Sequence, residues 1–323
     1  MSPTYFIDAL QNELSQLQYG QHPPELYDPI RYIMSLGGKR LRPLLTLMAT
    51  YLFTDDWQKA IRPALGIEVF HNFTLLHDDI MDKAPLRRGE PTVHEKWNDN
   101  IAILSGDVML VNAYKLLLHV EADKLKSVLA RFSETAAEVC EGQQMDMNFE
   151  TRWDVTEEEY VEMIRLKTSV LVGYALELGG LIAGADDDTN RHLYEGGMNI
   201  GIGFQLKDDL LDVYGDPAKF GKQVGGDIIA NKKTFLLIEA LEQTTGSLKN
   251  ELIEWLQKSE FDRDEKVRAV TAIYDKVGIR QLTESRINDY FARGFANFDA
   301  IDADPNRKNV LSQFARQLVE RES

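Results

Sequence analysis

The chain contains little cysteine and carries a deficit of positive charge. Its single cysteine, Cys140, excludes an internal disulfide, so nothing in the sequence points to an oxidising compartment. Asp and Glu number 52 against 36 Lys and Arg, and the formal net charge of -16 argues against nucleic acid or an anionic membrane as a general partner. The N-terminus carries Asp8 and Glu13 and lacks the basic-then-apolar pattern of a secretion signal. We therefore expect a cytoplasmic protein.

Proline and long apolar runs are also scarce. All ten prolines lie outside the stretch from Thr92 to Asp216, which leaves room for several long helices. The longest mostly apolar stretch, Ser169–Ala185, is interrupted by Glu177 and predicts a buried core helix, without stable membrane insertion.

The apolar spacing predicts helices almost throughout. Apolar residues recur at intervals of three and four, for example at Leu104, Val108, Val111 and Leu118. Alternating, strand-like segments are scarce, and no Gly/Ser-rich or Pro-rich linker divides the chain. We expect one all-α domain over residues 1–323, with about ten or more helices around a central bundle.

The pentapeptide Asp-Asp-x-x-Asp occurs twice. The copies comprise Asp78, Asp79 and Asp82, and Asp208, Asp209 and Asp212. On a helix the first and last Asp of each copy share a face, where their carboxylates repel unless a cation lies between them. Mg²⁺ takes one or two protein carboxylates and completes its shell with water and substrate phosphate. One copy alone would most simply be a solvated acidic helix end, but two copies in matching contexts favour metal binding. The EF-hand spacing is absent.

Basic residues accompany both copies. The segment Gly37–Pro43 places three cations on a Gly-Gly turn before an apolar helix, which is typical of an anion site. The other candidates are His71, Arg87, Arg88, Lys167, Thr168, Gln205, Lys222, Lys232 and Lys233. A lone His71 would be a core residue and a lone Lys167 a surface lysine. Together with the aspartates, these residues predict two phosphate-bearing substrates.

Three segments resemble the trans-isoprenyl diphosphate synthases. They are Gly-Gly-Lys-Arg-Leu-Arg-Pro, Leu-His-Asp-Asp-Ile-Met-Asp with its trailing Arg-Arg-Gly, and Gly-Phe-Gln-Leu-Lys-Asp-Asp-Leu-Leu-Asp, in family order between Gly37 and Lys233. The resemblance implies an all-α isoprenoid synthase fold, with both aspartate motifs facing a deep central cavity, and a homodimer. It also implies Mg²⁺-dependent condensation of isopentenyl diphosphate with an allylic diphosphate, with three Mg²⁺ per substrate-bound site.

The resemblance also implies roles for individual residues. The Mg²⁺ ligands would be Asp78, Asp82 and Asp208, and the motifs are completed by Asp79, Asp209 and Asp212. The allylic diphosphate would be held by Arg87, Lys167, Thr168, Gln205, Lys222 and Lys232. Isopentenyl diphosphate would be held by Lys39, Arg42, His71 and Arg88. Either Lys232 or the adjacent Lys233 could fill the lysine position.

No side-chain nucleophile is needed for this chemistry. Cations neutralise the leaving diphosphate, the allylic C–O bond ionises, and the double bond of isopentenyl diphosphate attacks before a proton is lost. Water must be excluded from the carbocation. An apolar shaft is therefore expected below a charged mouth.

The shaft would set the product length. Phe73 precedes Asp78 by five residues, or ~7.5 Å along a helix, and Thr74 follows it. Phe70 and Ile67 could form a second floor. The animal farnesyl synthases have an aromatic pair where this chain has one aromatic, and the two-residue insertion of bacterial farnesyl synthases is absent. Both departures favour a C20 product over C15.

Alternatives to this C20 product remain open. The synthase could make farnesyl or longer polyprenyl diphosphates. A terpene cyclase of the same fold would usually replace the second aspartate motif, and a silent partner subunit usually loses one motif. Both motifs are intact here.

Overall fold

Helices account for most of the chain. The computed structural model describes residues 3–216 and 224–320. The helices before residue 150 are α1 (Pro3–Gln16), α2 (Pro24–Ser35), α3 (Leu41–Tyr51), α4 (Ile61–Met81), α5 (Val93–Lys96), α6 (Asp99–Leu117) and α7 (Ala122–Phe149), with a 3₁₀ turn at Trp57–Ala60. The later helices are α8 (Glu157–Ile164), α9 (Val170–Ala183), α10 (Asp187–Tyr214), α11 (Gly226–Ala230), α12 (Phe235–Gln243), α13 (Gly246–Gln257), α14 (Arg263–Lys276), α15 (Ile279–Ala300) and α16 (Pro305–Glu320). The prediction of an all-α chain with ten or more helices is confirmed.

A short hairpin is the only sheet in the described part of the chain. Strands β1 (Leu86–Arg87) and β2 (Glu90–Pro91) pair antiparallel, with Arg87 opposite Glu90. The loop residues Arg88 and Gly89 both have positive φ, 55° and 83°, as a two-residue type I′ turn requires. The hairpin therefore fixes the direction of the two arginines that follow the first aspartate motif.

The described residues form two compact units. The first contains residues 3–135, 171–194 and 301–312, and the second contains 136–170, 195–216, 224–300 and 313–320. Each unit is assembled from separate stretches of sequence, and the expectation of a single domain stays a prediction.

The core of the first unit is built around α4. This helix packs against α3 and α6, and Leu65, Ile67 and Val69 are fully buried. Gly66 permits close packing, since an added Cβ would lie 3.0 Å from the carbonyl oxygen of Ala113 on α6. An α4 enclosed in this way holds the first aspartate motif at its C-terminus.

The core of the second unit places α10 against α15. Gly196 and Gly203 of α10 face the rings of Phe298 and Phe291, where an added Cβ would approach ring carbons to 2.4 and 2.7 Å. The small residues let α10 lie close to α15, which fixes the helix that carries the second aspartate motif.

The apolar stretch predicted as a core helix is buried. The helical segment Glu157–Ala183 is the one described segment long and apolar enough to cross a membrane, and 72% of its apolar window is buried inside the protein. Glu177 is paired there with Arg131 at 3.0 Å. The prediction of a core helix over Ser169–Ala185 is confirmed, because its apolar surface is covered by protein.

The apolar spacing that predicts α6 does not mark a core face. Leu104, Val111 and Leu118 are 58%, 52% and 54% exposed, while Met109 and Ala113 on the opposite side are fully buried. The period of apolar residues gives the helix correctly, but it does not tell which side faces the interior.

Candidate active site

In the first unit, a Gly-Gly turn joins two basic segments. Gly37 and Gly38 have φ of 78° and 133°, which glycine adopts without strain. The Arg88 guanidinium donates to the carbonyl oxygen of Gly37. An added Cβ at Gly38 would lie 3.0 Å from Arg88 Nη2, so the absence of a side chain there lets the arginine lie over the turn. The Gly37–Pro43 segment and the hairpin are thus in contact, and the anion site predicted there stays a prediction.

The side chain of Arg40, directly before α3, is held by hydrogen bonds to α4 and α2. It has a φ of 48° and donates from Nη1 to the Glu68 carboxylate and from Nη2 to the Met34 carbonyl oxygen at 2.7 Å. Asn72 Nδ2 donates to the same carboxylate at 3.0 Å. Arg40 therefore stabilises the turn, and its charge is paired with a buried carboxylate. Glu68 was missed from the sequence, although its place on the helical face of His71, within an apolar run, is a usable signal.

His71 is surrounded by arginines. Arg42 Nη1 lies 3.2 Å from His71 Nε2. Burial lowers the pKa of His71 well below its usual range, and the charges of Arg42, Arg88, Arg87 and Arg40 lower it further. The imidazole is therefore neutral and accepts a hydrogen bond from Arg42. Burial also lowers the pKa of Arg42, and its Nε is buried without a hydrogen-bond partner among the described residues. The unpartnered Nε of Arg42 beside a neutral imidazole fits an anionic ligand.

The first aspartate motif ends α4. Asp79 is 2% exposed and receives two hydrogen bonds of 2.7 Å from Arg87 Nε and Nη2. Burial raises the pKa of Asp79, and the Arg87 hydrogen bonds oppose that rise. Arg87 Nη2 also lies 4.0 Å from an oxygen of the half-buried Asp78, while Asp82 is exposed. The middle carboxylate thus points inward and is tied to Arg87, while the outer two lie nearer the surface.

The second aspartate motif, on α10, repeats this division. Asp209 is 5% exposed, and it accepts from the Tyr160 hydroxyl and from Gln205 Nε2 at 3.1 Å. Burial raises the pKa of Asp209 to about 6, against the lowering effect of Lys232, Tyr160 and Gln205. Asp208 is exposed.

The third carboxylate of this motif holds the start of α11. Asp212 Oδ2 accepts from the backbone N–H of Asp227 at 2.9 Å. Burial raises the pKa of Asp227 to about 7, Lys232 lowers it, and Asp209 and Asp212 raise it. Asp227 was missed from the sequence, where only the Gly-Gly pair before it marks the turn.

Lys167 and Thr168 lie in a π-helical turn, Arg165–Ser169, between α8 and α9. The sequence predicted an ordinary helix here. Lys167 Nζ donates to Asp146 at 2.6 Å, and the Thr168 hydroxyl lies 3.3 Å from Gln205 Oε1. Gly142 makes room for the widened turn, because an added Cβ would lie 2.2 Å from the Lys167 backbone nitrogen. The turn places Thr168 against Gln205 of α10 and Lys167 against Asp146 of α7, and π-turns are frequent at functional sites.

The two adjacent lysines point to different places. Lys233 Nζ lies 3.4 Å from the Glu150 carbonyl oxygen and 4.8 Å from the centre of the Trp153 ring. The charge of Lys232 acts on Asp209 and Asp227. The choice between Lys232 and Lys233 as the lysine beside the second motif stays a prediction. Lys222 lies outside the described residues.

The donors of the two motifs suit Mg²⁺. Within residues 3–216 and 224–320, no three His, Cys, Asp or Glu side chains converge as a ready metal cage. Mg²⁺ does not require one, because it binds through one or two carboxylates and takes the rest of its shell from water and substrate phosphate. The outer carboxylates Asp78, Asp82 and Asp208 supply the hard oxygen donors it prefers.

The predicted chain-length residues lie in an aromatic cluster of the first unit. Phe73 is 8% exposed, and its ring centre lies 5.6 Å from Phe70 and 4.7 Å from His77. Phe70 contacts Phe132 of α7 at 5.1 Å. Thr74 turns its hydroxyl back to the His71 carbonyl oxygen at 2.8 Å, so it adds little bulk. Phe73 is the first phenyl ring of this cluster along α4 from the aspartates, and the His77 imidazole lies between it and Asp78.

Comparison with known proteins gives a consistent result. The family model of the polyprenyl synthetases matches residues 23–274. A geranylgeranyl pyrophosphate synthase of Geoglobus acetivorans is 37% identical over 315 residues, covering 97% of this chain and 96% of the relative. A geranylfarnesyl diphosphate synthase of Natronomonas pharaonis is 35% identical, covering 93% and 91%.

A crystal structure of a geranylgeranyl pyrophosphate synthase has the same fold. It superposes with a TM-score of 0.94 at 45% identity and covers 100% of both chains. The prediction of an isoprenoid synthase fold is confirmed. The chain belongs to the polyprenyl synthetase family.

Proposed function

We propose that this protein is a prenyltransferase that joins isopentenyl diphosphate to allylic diphosphates and releases geranylgeranyl diphosphate, C20. The observation that carries the proposal is the basic cluster around His71, where Arg42 contacts the imidazole and keeps a buried Nε without a hydrogen-bond partner among the described residues. Such a site favours an anion of high charge, and a diphosphate supplies several oxygens that can accept from guanidinium groups. The similarity to geranylgeranyl synthases supports the substrate class.

The basic cluster of the first unit would hold isopentenyl diphosphate. Arg42, tied to neutral His71, has an unpaired Nε for a phosphate oxygen. Lys39 and Arg88 lie on the turn and the hairpin that meet at Gly37. This arrangement leaves the double bond of the substrate as the nucleophile and needs no side-chain base, since the released diphosphate can take the proton.

Allylic diphosphate would be held by residues beside the aspartates. We assign Lys167, Thr168, Gln205, Lys222 and Lys232 to this task. Arg87 donates to Asp79 and lies near Asp78. It would therefore neutralise the leaving group at the end of the site where the first motif lies. These cations favour ionisation of the C–O bond because they stabilise the charge that develops on the diphosphate.

Asp78, Asp82 and Asp208 would hold Mg²⁺, three ions per site when substrate is bound. When bound, Mg²⁺ supplies further neutralisation of the leaving diphosphate. Asp79, Asp209 and Asp212 are held by protein donors and keep the outer carboxylates in place.

The C20 product rests on Phe73. Its ring closes the aromatic cluster nearest the aspartates, where a growing tail would end. A C25 product is the second candidate, because a geranylfarnesyl synthase is 35% identical and Thr74 offers no second ring. The reaction itself is the same in both cases.

We also propose that the protein is a cytoplasmic homodimer. Leu104 and Val111 of α6 and Leu118 at its C-cap recur every seven residues, and each is more than half exposed, so together they form an exposed apolar stripe. The net charge of the chain is negative, so the chain would not attract an acidic partner to this stripe. A second copy of the same face would cover the stripe symmetrically, as in most homo-oligomers.

The test is product analysis with purified protein. Incubation with Mg²⁺, isopentenyl diphosphate and dimethylallyl, geranyl or farnesyl diphosphate should give a C20 product, and EDTA should abolish it. Asp78→Ala and Asp208→Ala should each lose turnover by orders of magnitude with unchanged circular dichroism, while Asp8→Ala, exposed on α1, should retain it. A cyclic hydrocarbon would indicate a terpene cyclase, and no product with any primer would indicate a silent subunit.

A further inference from the structure

The buried hydroxyl of Tyr160 is aimed at the second aspartate motif. Tyr160 lies on α8, is 1% exposed, and donates from its hydroxyl to Asp209 Oδ2. A capping box between Thr156 and Glu159 fixes the start of α8, and it thereby fixes the backbone position from which the Tyr160 ring extends. A buried tyrosine needs a hydrogen-bond partner, and here that partner is a carboxylate of the motif.

Both oxygens of Asp209 are used on the inner side of α10. Oδ2 accepts from Tyr160, and Oδ1 accepts from Gln205 Nε2 at 3.1 Å. Gln205 in turn lies 3.3 Å from the Thr168 hydroxyl in the π-turn. This chain of contacts fixes the rotation of α10 about its axis, and Asp208 is thereby directed to the exposed side.

The first motif has the same plan with a different partner. Asp79 is buried and receives both its hydrogen bonds from Arg87. In each motif, therefore, the middle carboxylate is an internal anchor while a neighbouring carboxylate is turned outward. In the second motif, one donor to the middle carboxylate is the uncharged hydroxyl of Tyr160 from another helix.

We propose that Tyr160 is a positioning residue for the second motif. Through Asp209 it orients Asp208 for Mg²⁺ and Gln205 and Thr168 for the allylic diphosphate. The inference rests on the proposed function for the identity of the ligands. It adds a residue that touches neither substrate nor metal and that no motif in the sequence marks.

The binding test compares two tyrosine variants. Tyr160→Phe removes the hydroxyl, and Tyr174→Phe is the matched control, since Tyr174 is also fully buried and donates to the Val128 carbonyl oxygen at 2.9 Å. Melting is followed as Mg²⁺ is added at fixed inorganic diphosphate, without turnover. Tyr160→Phe should raise the half-saturating Mg²⁺ concentration about tenfold, as expected for loss of a hydrogen bond to a charged group. Tyr174→Phe should leave it unchanged, and an equal response of both variants would overturn the proposal.

Kinetics provide a second readout. Tyr160→Phe should lower kcat and raise KM for the allylic diphosphate, while KM for isopentenyl diphosphate stays unchanged. A uniform loss of active protein, with both KM values intact, would mean that Tyr160 only stabilises the fold.

A second pair of variants decides the matter if Tyr160→Phe does not fold. Asp209→Asn keeps an oxygen that accepts from Tyr160, so it should retain far more Mg²⁺ and diphosphate binding than Asp208→Asn. Equal losses would make Asp209 a metal ligand and refute the anchor. If the wild type makes no prenyl product but the binding differences persist, the proposed function fails while the positioning role stands.

Discussion

Truncation of Phe73 is the sharpest test of product length. Phe73→Ala removes the ring that packs against Phe70 and His77, at 5.6 and 4.7 Å between ring centres. The next ring toward the start of α4 is Phe70, three residues or ~4.5 Å further down the helix. The tail of the product can therefore grow by this depth before it meets another ring. We expect the main product to change from C20 to C25 or longer.

The loss of stability in Phe73→Ala follows from the burial of the Phe73 side chain. Removing a fully buried phenylalanine costs about 3–5 kcal/mol, and Phe73, 8% exposed, should lie near the lower end in the ligand-free protein. Bound product refills the void, so total incorporation should stay similar to that of the wild type. A folded domain tolerates this loss when its stability is in the usual range of about 5–15 kcal/mol.

The assay is chromatography of the dephosphorylated products. Phe235→Ala is the control, because Phe235 is also fully buried but lies on α12 in the second unit. It should lower the melting temperature without altering product length. An unchanged product distribution in Phe73→Ala would refute the assignment of the floor, and a wild-type product of C30 or more would refute the short-chain assignment.

Three further changes test the basic cluster, the buried acid and the apolar stripe. Arg42→Ala should raise KM for isopentenyl diphosphate far more than KM for the primer, and equal effects in steady-state kinetics would mean that the two pockets are misassigned. The pKa of Asp227 is raised to about 7 by burial, so its buried charge costs stability above that pH and the cost fades as pH falls toward the unfolded value. In EDTA, Asp227→Asn should therefore raise the melting temperature at about pH 8 and leave it unchanged at about pH 4; a gain at both would indicate a cause other than ionisation. Leu104→Glu with Val111→Glu should give helical monomers by light scattering, whereas Tyr5→Glu, at a position 52% exposed on α1, should not alter the mass.

The sequence predicts the parts of the site that are local in the chain. The aspartate spacing predicts that Asp78 shares a helical face with Asp82, and Asp208 with Asp212, because i and i+4 positions lie on one side of a helix. The Gly-Gly turn with Lys39 follows from glycine's freedom at positive φ. These features depend on a few neighbouring residues, so the pattern is enough to locate them.

Partners from distant segments could not be predicted in this way. Arg40 meets Glu68, Lys167 meets Asp146, and Asp209 meets Tyr160, pairs that are set by packing and leave no periodic signal. The hydrogen bonds from Arg87 to Asp79 were likewise not predicted. Anchors of this kind look like ordinary core or surface residues until the helices are packed.

The apolar residues of α6 show a different limit. Leu104 and Val111 obey the helical period as well as any core residue, yet they are exposed in the chain. Hydrophobic spacing therefore identifies a helix without telling which of its sides the chain itself covers.

The π-turn limits which insertions and deletions of residues the protein can tolerate near this site. The Val170 N–H bonds to the Arg165 carbonyl oxygen, and the Ser169 hydroxyl lies 3.2 Å from the Ile164 carbonyl oxygen, so one extra residue is accommodated within a single helix. Deleting that residue would restore ordinary α-helix but rotate everything on one side of it by about 100°, the angle per residue. Lys167 and Thr168 could then no longer face Asp146 and Gln205 while α9 kept its buried side inward. The extra residue of the turn thus lets the contacts of Lys167 and Thr168 coexist with the burial of α9. Any single-residue insertion or deletion between α8 and α9 must therefore break either those contacts or that burial.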